Sequence, residues 1–208
     1  MPLPMVHLSV AVALCEKMGC IPSPDFLLGN IAPDAIHMRP NTDKHDKERV
    51  HLIDGNASPQ ELVRSFRTQF GLEESRVTGF SAGYLTHLLT DLFWRQAVID
   101  PFRKKLPPAM PDKEVRKIYY RDTDQIDFDL FRQMPWRPQA WLSLRKAVAE
   151  DFYSLLTGAE ILQWRDRTLD WYDDPGHDPK VEPAFMTLAG THTFIKQAGT
   201  QISGIGIL

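Results

Sequence analysis

The stretch from Phe80 to Val98 constrains this chain more than any other. Tyr84, Leu85, Leu88, Leu89, Leu92, Phe93 and Trp94 make it apolar almost all round the helical circumference. A helix of that kind must be covered on most sides by other elements, so it is expected to be the central helix of an all-α fold. Within it lies His87-Leu88-Leu89-Thr90-Asp91. Residues four apart share one helical face, so this imidazole and this carboxylate reach a common point. An ionised aspartate is costly to bury unless it is paired or ligates a metal. The pair alone fits two readings, a hydrogen-bonded couple in the core or two ligands of an ion.

Elsewhere the periodicity is again helical. His7, Val10, Ala11, Leu14 and Met18 share a face of a first helix that should end near Gly19, ahead of Pro22 and Pro24. Ser58-Pro59-Gln60-Glu61 reads as an N-cap, a first-turn proline and a capping-box glutamate, followed by Leu62, Phe66 and Phe70 at helical spacing. The segment 25–56 has no clear period; it contains Gly29, Pro33, Pro40 and Gly55 together with His37, His45 and His51. Irregular connections of that length inside a domain are usually functional. Pro101 to Pro111 separates the central helix from a polar section in which Asp122, Asp124, Asp127 and Asp129 are expected on a solvated face. Trp141, Leu144, Val148, Phe152 and Leu155 predict a helix stopping near Gly158. Further helices are expected over 159–171 and 184–196, with the end through Leu208 loose or docked on a neighbour. No internal repeat is visible, and 208 residues suit one domain, 1–208.

The formal net charge of −3 provides no positive field for a polyanion, so duplex nucleic acid is not an expected partner. Nothing in the pattern specifies an oligomeric state. Cys15 and Cys20 lie five apart on a predicted helix, where side chains diverge, so no disulfide is expected between them. The start Met-Pro-Leu-Pro-Met-Val-His has no basic leader region, and no later run approaches the roughly 18 apolar residues of a membrane span. A cytoplasmic protein with no transmembrane segment is the expectation.

Other polar residues fall in apolar surroundings. His7 faces the core from the first helix, and Asp34 closes Gly29-Asn30-Ile31-Ala32-Pro33-Asp34. Singly they suit a core histidine and a helix cap. Together with His87 and Asp91 they form a set of neutral imidazoles and carboxylates, the ligands preferred by zinc and similar ions. His51, followed by Leu52 and Ile53, is favoured over His45 and His37 as the loop histidine that points inward.

His7, the run Phe26-Leu27-Leu28-Gly29-Asn30-Ile31-Ala32-Pro33-Asp34, His51, and Gly83-Tyr84-Leu85-Thr86-His87-Leu88-Leu89-Thr90-Asp91 occur in an order and at intervals that resemble the zinc-dependent phospholipase C family, relatives of the fungal single-strand-specific zinc nucleases. The resemblance covers about the first hundred residues. It implies a single-domain multi-helix bundle of that type, with His7, Asp34, His51, His87 and Asp91 as metal ligands and Asp34 as a bridge between ions or a general base. It further implies a metal-dependent phosphoric ester hydrolase that acts on a phosphate-ester small molecule or a phospholipid. Two departures are visible. The secreted enzymes use a processed N-terminal tryptophan, whereas this chain begins with Met1 and no cleavable leader; and no histidine lies in 92–98, nor do His177 and His192 reproduce the later family spacing. One or two Zn2+ ions, or another divalent metal, are therefore expected rather than three, and Asp124 is a candidate to replace a missing ligand. Two other readings remain: an HD-type phosphohydrolase using His45-Asp46 with Asp91, and a helical protein with a structural metal and a non-catalytic binding role.

Overall fold

The computed structural model describes residues 3–52, 57–72 and 76–207. Its regular elements are all helical; the described residues contain no strand beyond a single bridge between Phe152 and Leu156. At the centre is α5 (Gly79–Trp94), buried from Ala82 to Thr90 and again from Leu92 to Trp94. Its closest neighbour is α2 (Pro24–Ile31), which begins where the Ser23 side chain accepts the Phe26 N–H and Pro24 presets the first turn. The two helices meet backbone to backbone. A Cβ on Gly83 would lie 2.0 Å from the Phe26 carbonyl oxygen, and one on Gly29 would lie 2.0 Å from the Phe80 carbonyl oxygen. No other residue type permits this approach, because the obstructing atoms are main chain and cannot rotate away.

α1 (Pro4–Met18) is buried from Met5 to Val12, at Leu14 and at Cys15, and ends at Gly19 in the left-handed conformation, φ 68°. Its other flank is covered by α10 (Leu188–Ile205), where Gly199 would bring a Cβ 3.2 Å from that of Ala13. The start of α1 has no side-chain cap of its own. Asp127, from α7 (Asp112–Gln133), does that work from a distance, accepting the Met5 N–H at 3.0 Å and the Tyr172 hydroxyl. Asp122, also on α7, accepts the N–H groups of Ala184, Phe185 and Met186 at 3.0, 2.7 and 3.2 Å, which fixes the strap leading into α10.

Several expectations need correction. The segment 25–56 is largely helical where described, comprising α2, a 3-10 helix over Ala32–Met38 and α3 (Lys44–Val50). Elements of seven or eight residues are too short to show a period. The acidic section is not a solvated face, since Asp122 and Asp127 are buried inside α7. The helix expected over 141–155 is α8 (Arg137–Lys146); Val148 lies outside it and is 76% exposed. The final helix spans Leu188–Ile205 rather than 184–196, and it packs on α1. Met18 is exposed rather than part of the buried face. α4 (Pro59–Gln69), with its Ser58/Glu61 capping box, and α9 (Gly158–Asp170) fall where expected. Cys15 is buried, Cys20 is exposed, and both are free. No helix among the described residues is long and apolar enough to cross a membrane.

Gly83→Ala should destabilise the protein by about 3 kcal/mol, the upper end for overpacking a core. Gly204→Ala, in α10 with open space around it, should be neutral or stabilising by up to about 1 kcal/mol. Thermal unfolding of the two variants checks the contrast; equal melting temperatures would remove the glycine contact from its central place. A second test concerns pH. Burial pushes the Asp127 carboxyl up to about 7, against the pull of Tyr172 and the Met5 N–H. The folded state therefore holds this proton over a range where the unfolded chain has lost it. Its contribution is complete below pH 4 and is lost as pH rises towards 7. Denaturant titrations at pH 4 and 8 should show Asp127→Asn gaining on the wild type at the higher pH, by up to roughly 4 kcal/mol.

Candidate metal centre

α5 presents His87 and Asp91 one turn apart. The close packing against α2 puts the Asn30 carbonyl 2.8 Å from His87 Nδ1. A carbonyl only accepts, so Nδ1 carries a hydrogen and Nε2 is the nitrogen turned to the cluster. His51 is held in the same way. It follows the last turn of α3, its Nδ1 donates to the Lys47 carbonyl at 3.0 Å, and the Tyr84 hydroxyl fastens the preceding residue to α5 through the Val50 carbonyl at 2.6 Å. Asp34 is buried in the first turn of the 3-10 helix that continues from α2. His7, from α1, stacks flat on His87, with ring centres 3.7 Å apart and planes 3° from parallel.

These five side chains, drawn from four helical elements, converge. His51 Nε2 lies 3.4 Å from Asp34 Oδ1 and 3.8 Å from Asp91 Oδ2; His87 Nε2 is 3.5 Å from Asp91 Oδ2; His7 Nε2 is 3.6 Å from Asp91 Oδ1. All four separations exceed the 2.7–3.2 Å of an N–H···O bond. They match the edge of a tetrahedron of ligands at zinc bond lengths, about 3.4 Å. Nε2 of His7, His51 and His87 and Oδ1 of Asp34 and Asp91 are buried without a hydrogen-bond partner. Two overlapping sets, His7/Asp34/His87 and His51/His87/Asp91, each place their ligand atoms within 4.8 Å of one another, so either is able to hold a metal ion.

The electrostatics agree. Burial, reinforced by the stacked His87, holds the His7 imidazole well below the usual range for histidine. For His51, burial acts downwards but is outweighed by Asp34, Asp91 and the Lys47 carbonyl, and the imidazole is raised. Burial likewise opposes ionisation of Asp34, yet the imidazoles of His51, His87 and His7 bring its carboxyl down to about 2. Asp91 is lowered against burial by His87 and His51. The two buried carboxylates are thus held ionised by positive charge beside them, which a protonated imidazole or a bound cation supplies.

All five residues singled out from the sequence meet here, and the other candidates do not join them. His45 is exposed, and Asp46 accepts the Asp43 N–H within the capping box of α3, so the His45-Asp46 doublet stands apart. His37 is exposed near the Trp164 ring. Asp124 is outside both ligand sets, and burial raises its carboxyl to about 6. His177 stacks on Trp171 with ring centres 3.6 Å apart, and His192 sits on α10. Sequence reasoning missed the Asn30 and Lys47 carbonyls, because a backbone acceptor has no residue signature. It also passed over Arg95, although its spacing of four from Asp91 was a usable signal.

The cluster opens in two directions. His51 and Asp91 border a cleft of about 380 Å³, and Asp34 borders a second cavity of about 320 Å³ that contains Tyr120, Trp164 and Arg167. Asp91 retains 16% side-chain exposure, so the first opening reaches the ligands directly. Comparison with protein-family models, with curated proteins and with solved structures finds no match to this chain.

Zinc or another divalent ion should raise the melting temperature of wild-type protein, corresponding to about 2.7 kcal/mol at a hundred-fold excess over Kd. His87→Ala and Asp91→Ala should lose both the shift and the bound metal measured by mass spectrometry. The exposed His45→Ala should keep them. Metal retained in His87→Ala and Asp91→Ala but lost in the His45 variant would move the site elsewhere.

Proposed function

We propose that this protein is a metal-dependent phosphoric ester hydrolase of the phospholipase C type. One observation carries the reading: three imidazoles and two carboxylates stand at ligand spacing in a buried cluster, with unpartnered atoms turned towards one another and one edge open to a cleft. A divalent ion there would act as a Lewis acid on a phosphoryl oxygen and acidify water near neutral pH.

The protein's own contribution is orientation. The Asn30 and Lys47 carbonyls fix the tautomers and ring planes of His87 and His51, as outer partners do in metal sites generally. Asp34 remains ionised and accepts a hydrogen from water, which aligns it for in-line attack on phosphorus. Attack forms one P–O bond and breaks the bond to the leaving alcohol, giving a phosphomonoester from a diester. The apolar walls of the cleft, Leu62, Leu88 and Leu92 among them, lower the polarity beside the cluster and strengthen its electrostatics. The direct opening favours catalysis over a structural metal, since structural zinc sites are closed by four protein ligands. The separation of His45 and Asp46 from the cluster disfavours the HD-type alternative.

Metal-loaded wild type should hydrolyse bis-p-nitrophenyl phosphate. Asp34→Asn should reduce kcat by about 100-fold or more, and His87→Ala and Asp91→Ala should abolish turnover along with metal binding. A wild type that binds metal tightly but shows no turnover of phosphodiesters or phosphomonoesters would leave the structural-metal reading in its place.

A further inference from the structure

The helix that carries His87 and Asp91 is interrupted by a π turn before it resumes as a short α-helix over Asp100–Lys104. Arg95–Ile99 forms a π-helical turn, in which the Asp100 N–H donates to the Arg95 carbonyl five residues back. Pro101 follows; it has no N–H to continue the ladder, and its ring would press on the carbonyl four residues earlier. A wider turn relieves that conflict, and π turns are frequent at functional sites. The result is a stripe, Asp91, Arg95, Ile99 and Arg103, running from the ligand cluster along one wall of the cleft.

Arg95 is half-buried and Arg103 exposed. Neither makes an ion pair or side-chain hydrogen bond among the described residues, although Asp91 and Asp100 border the same cleft. Asp91 already faces three imidazoles within the ligand cluster, which leaves, among the described residues bordering the cleft, two guanidinium groups against the carboxylate of Asp100. The other cavity differs. Its Arg167 lies over the Trp164 and Trp171 rings, and only Asp34 of the cluster reaches it.

We propose that the first cleft selects phosphate esters that carry a second anionic group, held by Arg95 and Arg103 while the ester phosphate lies at His51 and Asp91. This rests on the hydrolase reading of the cluster and adds the class of substrate. Guanidinium is the natural partner, because its planar fork matches both phosphate and carboxylate. The apolar cleft residues Leu52, Leu62 and Ile99 would cover the short linker between the two anions.

The test uses zinc-loaded protein and three chromogenic diesters: p-nitrophenyl propyl phosphate, p-nitrophenyl 3-carboxypropyl phosphate and p-nitrophenyl 3-phosphonooxypropyl phosphate. One or both anionic esters should be preferred over the propyl ester by roughly ten-fold or more in kcat/KM, and the better of the two identifies the second anion. Arg95→Gln and Arg103→Gln should each reduce that preference, and the double variant should bring it close to one. Equal kcat/KM for all three esters in the wild type, or a preference that survives in the double variant, overturns the proposal while leaving the hydrolase intact. If no ester is hydrolysed, the hydrolase reading fails, and calorimetric binding decides the selectivity. Propane-1,3-diol bisphosphate binding roughly ten-fold tighter than propyl phosphate, with the difference lost in the double variant, upholds an anion-selective cleft; equal binding refutes it.

Discussion

The backbone contact that α2 and α5 make at Gly29 and Gly83 governs the rest of the structure. Main-chain atoms of α2 and α5 approach so closely that any Cβ at either glycine would collide with a carbonyl oxygen at 2.0 Å. Because the obstruction is backbone, the separation and rotation of the two helices are set within narrow limits. One consequence is packing, since an apolar α5 must be covered and α2 does this by direct backbone contact. The other is chemical. The same approach carries the Asn30 carbonyl to His87 Nδ1, and the turn after α2 carries Asp34 into the interior.

A backbone acceptor is an effective positioning group because it cannot change rotamer or protonation state. His87 and His51 are each oriented by one, from different elements. His7 is positioned by other means, by its ring stacking on His87 and by the anchoring of α1. That anchor is Asp127, which satisfies an N–H that the start of α1 leaves without an intrahelical partner. The geometry of the cluster therefore depends on α7, an element that contributes none of its residues.

What the sequence disclosed follows from this division. His87 and Asp91 were legible because a polar pair with a spacing of four inside an apolar helix is a local pattern. His7 was legible from the face it shares with Val10 and Leu14, and Asp34 and His51 from their apolar neighbours and the family-like order. The supporting parts were not legible. α2 and α3 are too short to show a period, and the polar exterior of α7 concealed the burial of Asp122 and Asp127, which depends on partners more than forty positions away. Val148 illustrates the opposite error: its spacing from Leu144 and Phe152 looked helical, but the chain leaves the helix at Lys146. Periodicity reports what one element requires and nothing about which remote group meets it.

The buried carboxylates of this protein provide their own internal comparison. Asp122 receives three backbone N–H groups and Asp127 one N–H and a hydroxyl, the usual means of compensating an acid removed from water. Asp34 and Asp91 are treated differently. Each leaves an oxygen with no donor and faces imidazole nitrogens at separations better suited to shared ligation than to hydrogen bonding. The Nε2 atoms of His51 and His87 are directed inwards opposite them, because the other nitrogen of each ring already donates to a carbonyl, and whenever a ring is unprotonated its Nε2 faces carboxylate oxygens as acceptor to acceptor. Acceptors turned towards acceptors repel unless a positive charge lies between them. A proton on His51 compensates in part, and cations in the two overlapping ligand sets would between them engage all five groups. A chain that meets the buried carboxylates of α7 with donors from other elements, and leaves those of the cluster facing imidazole nitrogens at ligand spacing, has at the second place a site able to hold an ion.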